Sequence, residues 1–219
     1  MNKKCPRCSL NNLPRSRSCA RCLLEFEEVA SSEEPVSSSL GRKILRRVAA
    51  CFVICIVTIA GFYLSLLLSA RPLSAEEMSK VESAIEILDK AGFDTEVYYL
   101  RYYTFFRGND NWLNAMVPKE NAYAATNYPF EIMTVYPDFF VYTTDDVERA
   151  AILLHEARHL QGHDEPDAYE FVWKNKAKLG WTREKYGISV VWRNVRKQTM
   201  EIAPGMFICE FNEMGDCYE

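Results

Sequence analysis

Histidine is almost missing from this chain: its three copies stand at positions 155, 159 and 163 of 219 residues. Chemistry that needs an imidazole is therefore confined to one nine-residue window. Charge is missing from another stretch, residues 48–70, which hold 23 consecutive positions without Asp, Glu, Lys or Arg. At about 1.5 Å per residue, a helix of that length exceeds the roughly 30 Å hydrocarbon core of a bilayer. A buried core helix would be broken by charged or strongly polar residues, and none appear before Arg71, so the run is read as a membrane span. With 47 residues ahead of it, the run does not have the placement of a cleaved signal peptide.

The charge that is present is unevenly distributed. Residues 1–47 hold ten Lys/Arg against five Asp/Glu, and residues 72–219 hold fifteen against twenty-five. A basic head and an acidic body suggest two compartments and speak against a nucleic-acid binder. Arg42, Lys43, Arg46 and Arg47 stand directly before the span and only Arg71 closely follows it. The positive-inside rule then keeps the N-terminus cytoplasmic and places residues 71–219 outside, as expected for a bacterial inner-membrane protein with a periplasmic body.

Four cysteines fall early, as Cys5-Pro-Arg-Cys8 and Cys19-Ala-Arg-Cys22. Two such knuckles give four thiolates that close a tetrahedron around zinc and leave no open position, which makes the site structural. A reducing cytosol keeps these thiols free for metal, and the neighbouring arginines favour thiolate. Residues 1–24 resemble a small zinc ribbon of the kind found at the N-termini of many bacterial membrane proteins. A unit this short needs a metal staple merely to fold. Its basic residues Arg7, Arg15, Arg17 and Arg21 suit a protein or lipid partner better than nucleic acid, because no aromatic residue interleaves them. Residues 25–47 read as a flexible linker with a basic juxtamembrane end.

The histidines sit in an apolar run after Thr143-Thr144-Asp145-Asp146, with Thr144 or Asp145 able to cap a helix and Gly162 able to stop it. His155 and His159, four apart, project from one face and can share a zinc ion, while Glu156 stands beside it as a general base. On a helix buried on most faces, two histidines are costly unless paired or metal-bound. A third ligand is sought in the next segment. Asp164 can cap a second helix with Pro166 in its first turn, which places Glu165 close to the metal. His163 and Glu170 are the rivals.

Here the chain resembles the gluzincin metallopeptidases, especially the HtpX-like membrane peptidases, over roughly residues 121–170. Asn121-Ala122-Tyr123-Ala124 is similar to the segment those enzymes place before the active-site helix. A strand-like stretch, 132–142, follows, and then His155-Glu156-Ala157-Arg158-His159. The resemblance implies an α+β zincin-like ectodomain with its active-site helix packed on a small sheet. It also implies zinc at His155, His159 and Glu165, the last from Glu165-Pro166-Asp167-Ala168-Tyr169, where Tyr169 replaces the family's aspartate. The interval from His159 to Glu165 is shorter than is usual there and looks like metzincin spacing; a methionine turn would be sought at Met200, Met206 or Met214, which are read here as helical or core methionines. Substrate would pair with a sheet edge formed by residues 121–126 or 130–136. Tyr123, Tyr169 and His163 are candidates to stabilise the oxyanion.

Elsewhere, Ser74-Ala-Glu-Glu77 opens a helix with an apolar stripe at Met78, Val81, Ile85 and Leu88. Residues 97–106 fit strand or helix. Residues 166–180 and 182–197 read as further helices. Cys209 and Cys217 can form a disulfide in the outer half, and Cys51 and Cys55 are apolar fillers. The expected function is a membrane-anchored zinc peptidase acting on a peptide or protein. The alternatives are a non-catalytic envelope assembly or signalling protein with structural zinc, and a zinc hydrolase of a non-peptide bond.

Overall fold

The computed structural model describes residues 3–26, 37–116, 123–211, 213 and 215–218, with side chains from residue 40 onward in the long helix. Residues 27–36 of the expected linker lie outside the described residues, as do Asn121, Ala122 and Met214. The chain forms two compact units, Met1–Ile56 and Val57–Glu219.

In the first unit, β1 (Lys3–Lys4) and β2 (Asn11–Asn12) form an antiparallel ladder. The long helix α1 (Ser37–Leu68) begins here and is continuous for 32 residues. Its portion Leu40–Leu68 is long and apolar enough to cross a membrane, with mean hydropathy 2.6 and almost no burial in its most apolar stretch. Cys51 and Cys55 lie exposed on it.

The second unit is mixed α and β. Helix α2 (Ala75–Lys90) opens on a capping box in which Ser74 and Glu77 satisfy each other's backbone N–H. It buries Val81, Ala84, Ile85 and Leu88, and Met78 packs at the margin of the same stripe. The aromatic run 97–106 contains both structures it allowed. Helix α3 (Asp94–Tyr102) ends near Tyr103, and Phe105 opens strand β3 (Phe105–Arg107).

Strands β4 (Ala124–Asn127) and β5 (Ile132–Val135) complete a three-stranded sheet in the order β3-β5-β4. β5 is parallel to β3 and antiparallel to β4, and all four of its residues are buried. Two sequence expectations change here. The strand expected over 132–142 stops at Val135. Pro137 has no N–H for a ladder and instead opens the short helix α4 (Pro137–Val141) at its first position. Within 130–136 the strand is the central one, so of the two expected edge segments it is β4 that stands at an edge of the sheet.

Helix α5 (Asp146–Leu160) packs on β4 and against α2, α3 and the following helix. Asp145 caps it by accepting from the N–H groups of Val147 and Glu148, and Gly162, at φ +81°, supplies the left-handed residue that turns the chain. Helix α6 (Glu165–Asn175) is capped by Asp164. It is shorter than the expected 166–180, and the turn beyond it closes on Gly180 at φ +72°. The helix expected over 182–197 is two, α7 (Arg183–Tyr186) and α8 (Val190–Ile202). At the break, Gly187 lies so close to the Arg183 carbonyl that a Cβ would stand 2.6 Å from it, and Ser189 recaps the chain through the Trp192 N–H.

Trp173, Trp181 and Trp192 pack against one another in the core in edge-on and tilted pairs, and Phe207 packs on Trp173. Cys209 and Cys217 are joined by a disulfide. Met206 is a buried core residue in a short 3-10 turn, Pro204–Phe207, and Met200 is on α8.

Candidate metal centres

The two cysteine knuckles have the same local construction. Cys5 N–H donates to Leu10 O and Ser9 N–H to Cys5 O; Cys19 N–H donates to Leu24 O and Leu23 N–H to Cys19 O. The residue after each knuckle, Ser9 or Leu23, takes φ +56°. These loops bring the four Sγ atoms together, with Cys5–Cys22 and Cys8–Cys19 each at 3.5 Å. Four sulfurs about 2.3 Å from a tetrahedral zinc stand about 3.8 Å apart, so the cluster is close to ligand spacing. Asn12, buried, donates through Nδ2 to Cys19 Sγ at 3.7 Å and accepts the Ala20 N–H. The backbone N–H groups of Arg21 and Cys22 hold the Cys19 thiol down at about 6, so main-chain donors do there what was expected of the arginine charges.

The second cluster stands on α5 and the first turn of α6. His155 Nε2 lies 3.1 Å from His159 Nε2 and 3.2 Å from Glu165 Oε2, and His159 Nε2 lies 3.4 Å from Glu165 Oε1. Ligand atoms 2.0–2.1 Å from a tetrahedral zinc are separated by about 3.3–3.4 Å. The three donors thus outline one face of such a tetrahedron. The fourth corner has no protein donor among the described residues grouped there. His159 Nδ1 is 2.9 Å from the His163 carbonyl, which fixes the ring with Nε2 turned to the cluster.

Electrostatics tie the trio together. The two imidazoles hold the Glu165 carboxyl far below the usual carboxylate range. Burial alone would lower His159, but hydrogen bonds to Glu165 and to the His163 carbonyl outweigh it and lift the ring to about 9. Glu156 is almost fully buried, and its carboxylate accepts the Thr126 hydroxyl of the edge strand at 2.8 Å. Tyr169 lies against the His155 ring, with centroids 4.4 Å apart. Burial, and then the charges of Glu165 and Glu156, raise its phenol well above the ordinary tyrosine range, so it remains an O–H donor at neutral pH.

His155, Glu156, Glu165 and Tyr169 face a cavity of about 320 Å³. His155, Glu156, Glu165 and Tyr169 form its polar end, while Ile152, Val172, Trp181, Val195 and Ile202 line the remainder with Gln198 and Tyr123. The Tyr123 hydroxyl accepts from Asn194 Nδ2 at 2.8 Å. His163 is turned elsewhere, with its ring nitrogens 2.9 Å from Arg158 Nη2 and Asp167 Oδ2. Glu170 pairs with Lys174 on the α6 surface. Neither rival joins the trio.

Two supports of the site are absent from the sequence reading. Arg158, inside the His-Glu-x-x-His segment, pairs with buried Glu96 of α3 at 3.3 Å and with Asp167 of α6 at 2.9 Å, and it stacks on Phe171. It binds three helices together and sets the α6 turn that carries Glu165. Glu148, fully buried at the start of α5, accepts from the Thr144 N–H, the Ser189 hydroxyl and Trp181 Nε1. The available signal was a charged residue on an otherwise buried helix face. The chain matches no protein-family model, no curated protein and no solved structure.

Proposed function

We propose that Val57–Glu219 is a zinc-dependent peptidase of zincin type. It is anchored by α1, and the basic residues before the span keep the head cytoplasmic and the body outside. The observation that carries this reading is the His155–His159–Glu165 trio at tetrahedral spacing, with Glu156 held beside it by Thr126. Zinc held by these donors supplies a Lewis acid for a carbonyl oxygen and an acidified water at neutral pH.

The chain's own residues do the rest. An extended peptide adds to the free edge of β4 through main-chain hydrogen bonds, which brings its carbonyl past Glu156. Its neighbouring side chain enters the cavity, whose walls suit an apolar group. Glu156 takes a proton from the attacking water as the C–O bond forms and delivers it to the departing amine as the C–N bond breaks. The Tyr169 phenol is placed to donate to the oxyanion. The four-cysteine ribbon is a structural zinc site, and its basic surface is offered to a cytoplasmic protein or to lipid.

Glu156→Gln separates this reading from a non-catalytic assembly or signalling protein with the same metal donors. The variant is expected to keep its zinc, measured by elemental analysis, and to lose hydrolysis of an unstructured protein substrate by about 10²–10⁴-fold. Hydrolysis that survives in Glu156→Gln defeats the mechanism, and a zinc-loaded wild type that cleaves nothing favours the assembly role.

A further inference from the structure

A bilayer core about 30 Å thick takes roughly 20 helical residues, so a span that starts after Arg47 reaches about Leu67. Yet the second unit grips its own stretch of α1 well short of that point. The Trp112 ring meets Phe62 edge-on at 5.6 Å, its Nε1 donates to Ser65 Oγ at 3.2 Å, and its backbone N–H donates to Ser69 Oγ at 3.2 Å. Phe130 packs on Phe62 at 5.6 Å and Phe105 on Tyr63 at 6.2 Å. Leu66 is fully buried, while Leu68 remains 83% exposed. Phe62 is five residues before Leu67, about 7–8 Å along the helix axis. The rings that touch it therefore stand at the level of the upper acyl chains.

The joint is rigid. Pro72 bridges Arg107, Gly108 N–H donates to Arg71 O at 2.8 Å, and the Arg71 guanidinium forks onto both Glu77 carboxylate oxygens at 3.0 Å. Gly108 is flush with that guanidinium, where a Cβ would stand 2.4 Å from Nη2. Trp112 and Phe105 remain 39% and 47% exposed, whereas Trp173, Trp181 and Trp192 are core residues. Exposed aromatic rings continuous with a membrane helix, one with its N–H already satisfied, have the character of the interfacial aromatic belt.

We infer that the second unit docks on the bilayer through an aromatic collar of Trp112, Phe105 and Phe130, seated in the lipid interface of its own leaflet. This goes beyond the peptidase reading and stands without it. It also fixes the height of the candidate site. Four residues separate Thr126, bonded to Glu156, from Phe130, and a chain of that length reaches at most about 14 Å.

The four tryptophans provide the test, since only Trp112 lies outside the core. The full chain is reconstituted in phosphatidylcholine vesicles brominated either near the headgroup end or near the terminus of the acyl chains. Shallow bromines are expected to quench part of the emission at least twofold more strongly than deep ones. That quenchable part should vanish in Trp112→Phe. Absence of quenching by either lipid in the wild type, a profile that peaks at the bilayer centre, or equal quenching in Trp112→Phe overturns the proposal. The wild-type depth profile needs no variant to fold.

Discussion

Among the described residues, two clusters of side chains could hold a metal ion, and they are built on opposite plans. The cysteine cluster has four donors on two turns, in a unit with little core of its own. The histidine cluster has three donors on two helices of a unit with a substantial core, and the buried Glu156 carboxylate lines the same cavity as His155 and Glu165. Four soft donors close a site and leave it chemically silent; three harder donors leave room for a substrate. The difference lies as much in what holds the donors as in the donors. In the head a metal would create the fold, and in the body the fold precedes the metal.

Chelation should break the two apart most visibly. Structural zinc in units of this size carries about 10–16 kcal/mol of apparent binding free energy, which is then the folding free energy. Stripping metal from the full chain should abolish hydrogen-exchange protection at the Cys5, Ser9, Cys19 and Leu23 amides. The amides of α5 should stay protected, because the Trp173, Trp181 and Trp192 core needs no ion. Equal loss in both units would erase the distinction drawn here.

A smaller effect probes the scaffold of the histidine site. Arg158→Ala leaves Glu96 buried without its charge partner and unties α6 from α5. Breaking a buried pair costs about 3 kcal/mol, read as a lower urea midpoint for the second unit. Because Arg158 sets the turn that presents Glu165, zinc affinity at the histidine site should fall at least tenfold. The cysteine site should keep its affinity unchanged.

The two clusters also differed in how plainly the sequence announced them. Both knuckles, the Asp145 cap, the Gly162 stop and the Asp164 cap are local signals, spelled within a few residues, and they suffice to place His155, His159 and Glu165. The supports are not local. Thr126 reaches Glu156 across 30 positions, and Arg158 reaches Glu96 across 62. Helical periodicity carries no information about such partners. The sheet was obscure for the same reason: β3 joins β5 in parallel, so their pairing depends on a crossover and not on a turn. Pro137 was a local signal of a different kind, and its missing N–H outweighed the strand-like residues around it.

The finest distinction concerns protons. Imidazole must be deprotonated at the nitrogen that takes a metal, so uptake at His159 competes with the hydrogen bond to Glu165 that lifts it to about 9. A raised folded-state value means that the metal-free pair stabilises the fold fully below about 6.5, the ordinary histidine value, and has lost that contribution once pH passes about 9. The metal-loaded site does not share this decline. Zinc affinity there should therefore rise about tenfold per pH unit between about 6.5 and 9, and level off above. At the cysteine site the Cys19 step is centred near 6, while the Cys8 thiol is pushed up to about 11. Calorimetric zinc titration at pH 7 in buffers of different ionisation enthalpy, with Cys5, Cys8, Cys19 and Cys22 replaced by serine, should report close to one proton released per zinc. A proton count of zero would mean that His159 and Glu165 are not paired before the metal arrives, and that the body's cluster, like the head's, is assembled by the ion.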